Sequence, residues 1–338
     1  MNDNRVTIAD VAKYAGVSTA TVGRVVGGYG TVSIKTRERV MSAISALGYS
    51  PNVVAQGLRS KKTKTIAVIV GSVSNSFFAS MVSAIEKEAA RYGYNVIICN
   101  TNEDIDVEMR HIVNLQARMV DGIILSSACP QSKLTDEKKA VYCSDTPIVL
   151  VDRRVDGLDL DMIESENTAA GYKTTNYLLA LGHRKIGIIG TGDYSTITDR
   201  IEGYKKALTD RKLEVVAKRI MKPTRNKNQY YEKELNNYFF SNKDLTALML
   251  LNNSLAETVL LLLEKLDFYD KKNFSIVCWD DAGMNKLIGL TTVFQFPEEI
   301  GRVAVQRMIK RIENGSSQEK QHIVIGTELK IRSSCKPL

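Results

Sequence analysis

The run Thr7-Ile8-Ala9-Asp10-Val11-Ala12-Lys13-Tyr14-Ala15-Gly16-Val17-Ser18 decides how this chain of 338 residues begins. Thr7 and Asp10 make a capping-box-like start: the Thr oxygen accepts from a free backbone N–H, and the Asp charge opposes the helix dipole. Ile8, Val11, Ala12 and Ala15 follow at i, i+3, i+4 and i+7, one apolar helix face. Gly16 suits a positive-φ turn. Ser18 then caps a second helix with Val22, Val25 and Val26 turned inward. Thr19, Ala20, Gly23 and Arg24 face outward, a surface slim enough for a major groove about 12 Å wide. Gly27-Gly28 ends that helix, and Ser33 caps a third through Val40, Ile44 and Leu47 to Gly48. Two short helices joined by a Gly turn and backed by a third make a helix-turn-helix module. The pattern alone also fits any small three-helix bundle.

Charge separates these readings. Residues 1–64 hold ten Lys or Arg against three Asp or Glu, seven of the chain's net +8. The other residues are close to neutral. A basic head on a neutral body points to a polyanion partner, nucleic acid first. The length predicts two or three domains. No apolar run approaches the ~18 residues of a membrane span, and the polar N-terminus lacks a signal-peptide core, so no membrane partner and a cytoplasmic location are expected. Cys99, Cys129, Cys143, Cys278 and Cys335 form no close pair, and several lie in apolar strand-like runs. Free thiols explain them better than disulfides. His111, His183 and His322 are too scattered for a metal site; neither metal nor cofactor is expected.

From Thr7 to Ser18, then at Thr21-Val22, Arg24-Val25, Val32-Ser33, Lys35-Thr36-Arg37-Glu38-Arg39-Val40 and Leu47-Gly48-Tyr49-Ser50-Pro51-Asn52, the chain closely resembles LacI/GalR-family transcription regulators. The resemblance implies that Thr19, Ala20 and Arg24 read base edges, and that Thr7, Ser18, Thr21, Ser33, Thr36 and Tyr49 contact the DNA backbone. The chemistry agrees, since hydroxyls and helix N-termini suit phosphate oxygens while Arg suits guanine. Gly23 and Gly27 depart from the family's usual Ser and Asn, removing polar groups that would meet the backbone. Residues 51–64 begin Pro51-Asn52-Val53-Val54-Ala55-Gln56-Gly57-Leu58, and about eight residues of helical potential are too short for a helix stable alone. They resemble the family's hinge helix, which implies pairing in the operator minor groove with Leu58 as wedge and Ala55 in the packed pair. Such a wedge costs ~a few kcal/mol of unstacking and permits a bent, more enclosed site.

From Thr65 onward apolar strands alternate with helices. Strands are read at 66–70, 95–99, 122–125 and 148–151, and again at 185–189, 245–251 and 274–279. Helices are read from about Phe77 to Tyr92, Asp106 to Met119, Ala169 to Leu181 and Arg200 to Leu208. Two such sets imply two parallel-sheet α/β subdomains with a cleft between them. Enzyme signatures fail. Gly187-Ile188-Ile189-Gly190-Thr191-Gly192 is neither a dinucleotide nor a phosphate loop, and there is no G-x-S-x-G elbow.

The body resembles the family's periplasmic-binding-protein-like effector domain through Asn75-Ser76-Phe77-Phe78, Val151-Asp152-Arg153, Leu181-Gly182-His183-Arg184, Asp199-Arg200-Ile201-Glu202-Gly203-Tyr204 and Trp279-Asp280-Asp281. The fold class expected is thus an N-terminal all-α helix-turn-helix domain (1–50), a hinge (51–64) and an effector and dimerisation domain (65–338). That domain has one subdomain at about 65–164 and 294–325 and another at about 165–293 and 326–338. The resemblance implies ligand contacts at Phe77, Phe78, Asp152, Arg200, Asn252 and Asp280. Phe77 and Phe78 can also be read as core at a helix start, Asp152 as a cap beside Arg153, and Arg200 as a surface residue at a helix N-terminus. Asn253, Cys278 and Trp279 depart from the family's usual residues, and Trp279 stands where it narrows the pocket or stacks on ligand. Those departures leave the ligand open among sugars, phosphorylated sugars and purines. The expected partners are double-stranded, pseudo-palindromic operator DNA, a small effector with sugar the first expectation, and a second copy of the chain. A dimer rather than a tetramer is expected, as no apolar heptad helix follows Ser333. The function expected is an effector-controlled, sequence-specific regulator, a repressor rather than an enzyme. A sugar-binding protein or sugar-modifying enzyme would have no need of the basic head.

Overall fold

A computed structural model describes residues 6–27, 29–49, 62–130, 134–223, 231–266, 273–315 and 318–338. The chain divides into two units, Met1–Lys64 and Thr65–Leu338. In the first, helices α1 (Ile8–Ala15), α2 (Thr19–Gly27) and α3 (Ile34–Leu47) enclose Val11, Ala12, Ala15, Val22, Val25, Val40 and Ala43. Each helix begins as its polar residues dictate. Thr7 and Asp10 exchange the two bonds of a capping box. Ser18 accepts from the Thr21 N–H and Ser33 from the Thr36 N–H. Gly16 and Gly48 end α1 and α3 at φ 62° and 60°, conformations costly for residues with a Cβ. The Ala55 and Leu58 expectations, like most of the hinge, lie outside the described residues.

The second unit holds two six-stranded sheets. In the first run β1 (Thr65–Val70), β2 (Asn95–Asn100), β3 (Gly122–Leu125), β4 (Ile148–Val151) and β5 (Asp161–Ser165). Their helices are α4 (Ser76–Arg91), α5 (Ile105–Ala117) and α6 (Asp136–Tyr142). The second set follows α7 (Asn167–Ala180): β6 (Ile186–Ile189), α8 (Ser195–Asp210), β7 (Ile220–Met221), α9 (Glu232–Ser241), β8 (Ala247–Leu250), α10 (Ala256–Leu266), β9 (Ser275–Trp279), α11 (Gly283–Leu287) and β10 (Thr291–Phe294). Helix α12 (Pro297–Asn314) returns to the first sheet, where β11 (His322–Ile325) joins β5, and β12 (Glu328–Lys330) closes on β10. The strand orders are β11-β5-β4-β3-β1-β2 and β12-β10-β9-β8-β6-β7, parallel except for the antiparallel β10–β12 pair. The two orders correspond strand for strand, so β4 of one sheet takes the place of β9 in the other.

Side chains alternate along each strand and fill both faces. Ile66, Val68 and Val70 pack under α4 and α12, while Ala67 and Ile69 meet Ile112 of α5 and Tyr142 of α6. In the second sheet Leu248, Leu250, Ile276 and Cys278 face α9 and α10. Met249, Val277 and Trp279 face α7 and α8. Those two helices touch backbone to backbone: a Cβ at Gly171 would stand 2.3 Å from the Arg200 carbonyl oxygen, and one at Gly203 2.1 Å from that of Thr168. The chain crosses between sheets at residues 165–167, 294–297 and 325–328. Helix α8 starts at Ser195, earlier than the pattern suggests, and buries Ser195 and Thr196 in its first turn.

Candidate functional site

On α2, Thr19, Ala20 and Arg24 are exposed while Val22 and Val25 on the opposite face are buried. Two exposed hydroxyl pairs flank that face, Ser18–Thr21 and Ser33–Thr36, each 2.9 Å apart at a helix N-terminus. Backbone N–H groups and the helix dipole make such ends anion-friendly. The Thr7 hydroxyl is committed to Asp10 at 2.6 Å, and Tyr49 is half buried against the core. The turn between α1 and α2 is held by Arg39, which donates to the carbonyls of Ala15 and Gly16.

In the larger unit every anticipated ligand residue lies at or beyond the carboxyl end of a strand, where parallel sheets open their crevices. Phe77 and Phe78 follow β1, Asp152 follows β4, Arg200 follows β6 on α8, and Asn252 follows β8. Trp279 ends β9 and Asp280 comes next. Asp152 and Asp280 occupy corresponding places in the two sheets. Each donates its N–H to the neighbouring strand, to Ile163 and Val293, and each is left-handed, at φ 65° and 69°. Non-glycine residues held there cost about 1–3 kcal/mol and gather at functional sites.

Arg200 stands between these carboxylates, 3% exposed. Its Nε donates to Asn167 Oδ1 at 2.8 Å, Nη1 to the Leu251 carbonyl at 2.5 Å and Nη2 to Gln295 Oε1 at 2.6 Å. Burial pushes the Asp152 carboxyl up to about 6 against the pull of Arg153 and Arg200. It pushes Asp280 up as well, against Arg200 and the Gln295 amide, which donates to Asp280 at 2.6 Å. Burial also draws Arg200 below its usual value, with Asp152 and Asp280 opposing. The three groups form one coupled charge cluster.

Phe77 and Phe78 are buried in the core of the first sheet, edge to face at 5.4 Å. Phe78 reaches the cluster through Arg153, whose guanidinium lies 5.5 Å from its ring. Trp279 is fully buried on the α7–α8 face, with the Arg200 guanidinium 5.1 Å from its ring. Asn252 bonds Thr191, its Nδ2 donating to Oγ1 at 2.5 Å. The structure therefore gathers Asp152, Arg200 and Asp280, with Trp279 beneath, and links Phe78 indirectly.

Further residues join the cleft. Arg153 pairs with Glu103 at 2.5 Å and carries the Tyr194 ring at 3.8 Å. Arg154 bonds Glu164 of the first sheet at 2.6 Å and Asp199 of α8 at 2.8 Å, and its N–H donates to Ser195 Oγ. These contacts tie the two sheets together. Arg153 stands in the Val151-Asp152-Arg153 motif quoted above; Gln295 follows β10, and Glu103, in the loop after β2, carries no local signal. Among the described residues no cluster suits a metal ion and no helix is long and apolar enough to cross a membrane.

Residues 7–52 match the family described as bacterial regulatory proteins, lacI family. Residues 63–333 match the periplasmic binding proteins and sugar binding domain of LacI family. The chain belongs to the LacI family. It is 30% identical over 337 residues to the HTH-type transcriptional regulator DegA of Bacillus subtilis (strain 168), covering 99% of both chains. It is 32% identical over 338 residues to the HTH-type transcriptional repressor PurR of Haemophilus influenzae (strain PittEE), covering 98% of this chain and 99% of that one. Among solved structures it resembles a lac repressor dimer bound to operator and the anti-inducer ONPF. The TM-score is 0.82 at 26% identity, over 98% of this chain and all of that one. A LacI-type regulator of Alkaliphilus metalliredigens complexed with D-xylulofuranose matches with TM-score 0.68 at 26% identity, over 80% of this chain and 99% of that one. This LacI-family member is accordingly a DNA-binding transcription regulator with a ligand-binding domain, and its relatives are regulators rather than enzymes.

Proposed function

We propose that the chain is a homodimeric, operator-specific repressor whose DNA affinity is set by a neutral polyhydroxy ligand, a sugar or sugar derivative, in the cleft of the larger unit. The observation that carries this is the internally paired guanidinium between two strained, buried carboxylates. Arg153 and Arg200 already bond protein acceptors, so neither offers an unengaged cation to a phosphate or carboxylate. Asp152 and Asp280 instead accept the hydroxyls of a neutral ligand. Asn252 adds amide contacts, Phe77 and Phe78 wall the apolar side of a sugar ring, and Trp279 supports it through Arg200.

We divide the chain into reader 1–50, hinge 51–64 and effector body 65–338, the body split at about 164/165, 293/294 and 325/326. Thr19, Ala20 and Arg24 read base edges, Thr7, Ser18, Thr21, Ser33, Thr36 and Tyr49 hold the backbone, and Ala55 and Leu58 enter the minor groove. A second copy covers Ile98, Leu261, Met284 and Leu287, which are exposed and apolar, and its two-fold axis makes the operator pseudo-palindromic. A ligand that changes cleft closure changes whether paired hinges can form, a coupling of about 1–3 kcal/mol that is reciprocal.

The test titrates the full chain with neutral sugars, including cellobiose and D-xylulose, with their phosphates and with purines, reading Trp279 emission and operator affinity. Neutral sugars are expected to bind and to shift operator affinity. Tighter binding of a phosphorylated sugar, or ligand binding with no change at the operator, would refute the reading. Arg24→Ala should cost about 1–3 kcal/mol and relax base preference in each half-site; equal losses on all duplexes would reduce Arg24 to a phosphate contact.

A further inference from the structure

Tyr29, two residues beyond α2, lays its ring against Gly27 of that helix, and none of the roles above includes it. Ala20, Arg24 and Gly27 recur at i, i+4 and i+7 along α2, opposite the buried Val22 and Val25. With Gly at 23 and 27 that face is bare toward its C-terminal end, and the Tyr29 ring fills the gap. A Cβ at position 27 would stand 2.4 Å from Tyr29 Cε1 and 2.6 Å from Cδ1, closer than side-chain atoms can sit. The loop turns back on the helix: the Tyr29 N–H donates to the Arg24 carbonyl at 3.2 Å. A Cβ at Gly30 would lie 3.5 Å from Arg24 Cδ, so the loop backbone passes beside the Arg24 stem. The ring is 48% exposed and outside the core of the module.

We propose that Tyr29 contacts the operator, its hydroxyl donating to a phosphate oxygen at the wall of the groove that α2 enters, and that Gly27 is the seat that places it there. This rests on the reading of α2 as the base-reading helix. When the first residues of such a helix meet base edges, its far end and the following loop come toward the sugar–phosphate wall. Tyr belongs to the side chains that bond phosphate oxygens, and a charged acceptor strengthens the bond. The phenol thus adds a polar group beside Arg24 on a face where Gly23 and Gly27 bring no side chain.

The full chain is first allowed to select its preferred duplex from a randomised pool. Wild type, Tyr29→Phe, Tyr29→Ala and Gly27→Ala are then compared on that duplex and on a scrambled one, with circular dichroism confirming each fold. Tyr29→Phe keeps the ring and its seat and should lose about tenfold or more in affinity. The loss should be similar on both duplexes, because a phosphate contact carries no sequence. Gly27→Ala should also weaken binding although Ala strengthens the helix; a purely helical role for Gly27 predicts the opposite sign. A single phosphate in each half-site, replaced by neutral methylphosphonate, should weaken wild type and add nothing to Tyr29→Phe. Wild-type affinity in Tyr29→Phe, or losses that add at every phosphate, overturn the proposal while leaving the regulator reading intact. A pool that enriches no sequence refutes the operator reading itself.

Discussion

Replacing Arg200 by Met preserves the reach of the side chain and removes its charge and every donor. Three acceptors, on Asn167, Leu251 and Gln295, lose a bond, and the buried carboxyls of Asp152 and Asp280 lose the cation between them. Removing one partner of a buried ion network costs about 3–5 kcal/mol. Side-chain amides can turn to recover part of an orphaned bond, so about 4 kcal/mol is expected in the larger unit near neutral pH. With a urea m-value of about 3 kcal/mol per M, the unfolding midpoint should fall by more than about 1 M. Acid should relieve the loss. A carboxyl whose folded pKa lies above its unfolded one destabilises at high pH, and the penalty fades as pH falls through the folded value. That value is about 6 for Asp152 with Arg200 present, and it rises further without it. The gap between variant and wild type should therefore shrink by about 1–2 kcal/mol on acidification from about pH 7.5 to about 5.5. Other titrating groups cancel in that comparison. The assay is built in, because Trp279 is the only tryptophan, fully buried and beside Arg200. Its emission reports the larger unit alone. A loss below about 1 kcal/mol, or an equal loss at both pH values, would refute the coupled cluster.

His183 is buried between Thr246, Ser275 and the Lys336 carbonyl, and burial draws its pKa below the usual value. Its contribution is therefore complete above about 6.5 and is lost as pH falls below that. His183→Gln should flatten the acid limb of the stability profile, and an unchanged limb would count against the assignment. Among the cysteines Cys143 is exposed, while Cys129 and Cys278 are buried with thiols raised by burial. A thiol reagent should label Cys143 first in the native chain, as only the thiolate reacts; early labelling of Cys278 would contradict its burial. Arg39→Ala should free the Ala15 and Gly16 carbonyls and cost the helix-turn-helix module about 1–2 kcal/mol, read by far-UV thermal melts. An unchanged melt would mean that Gly16 alone holds the turn.

The helix-turn-helix was legible because its signals are local: caps at Thr7, Ser18 and Ser33 and a turn glycine at 16. The apolar strands were legible from continuous runs. Strand β5 was not, since Asp161 and Glu164 give it a polar sequence although every residue is buried. Side chains distant in sequence explain its burial. Asp161 accepts from Arg307 and Arg311 of α12, and Glu164 from Arg154 and His322. The same limit applies in the cleft. Asp152 and Asp280 stand in recognisable motifs, whereas the pairing of Arg153 with Glu103, fifty residues away, appears only once the sheets assemble. The sequence pattern puts Arg200 at a helix start, yet α8 begins a turn earlier and buries it.

The bonds of Arg200 have a mechanical consequence. Asn167 and Gln295 are not residues of the jaws: one lies in the crossing from β5 to α7, the other in the crossing from β10 to α12. The third crossing is tied to the first, since Glu166 accepts from the N–H and hydroxyl of Thr327. The guanidinium thus grips the pivot rather than the lips, and the glycine contact of α7 with α8 keeps it from sliding along its own helix. A displacement too small to notice at a pivot grows with distance along each lever. Whatever nudges this one side chain would be felt most at the far tips of the two halves, not at the cleft where the nudge is given.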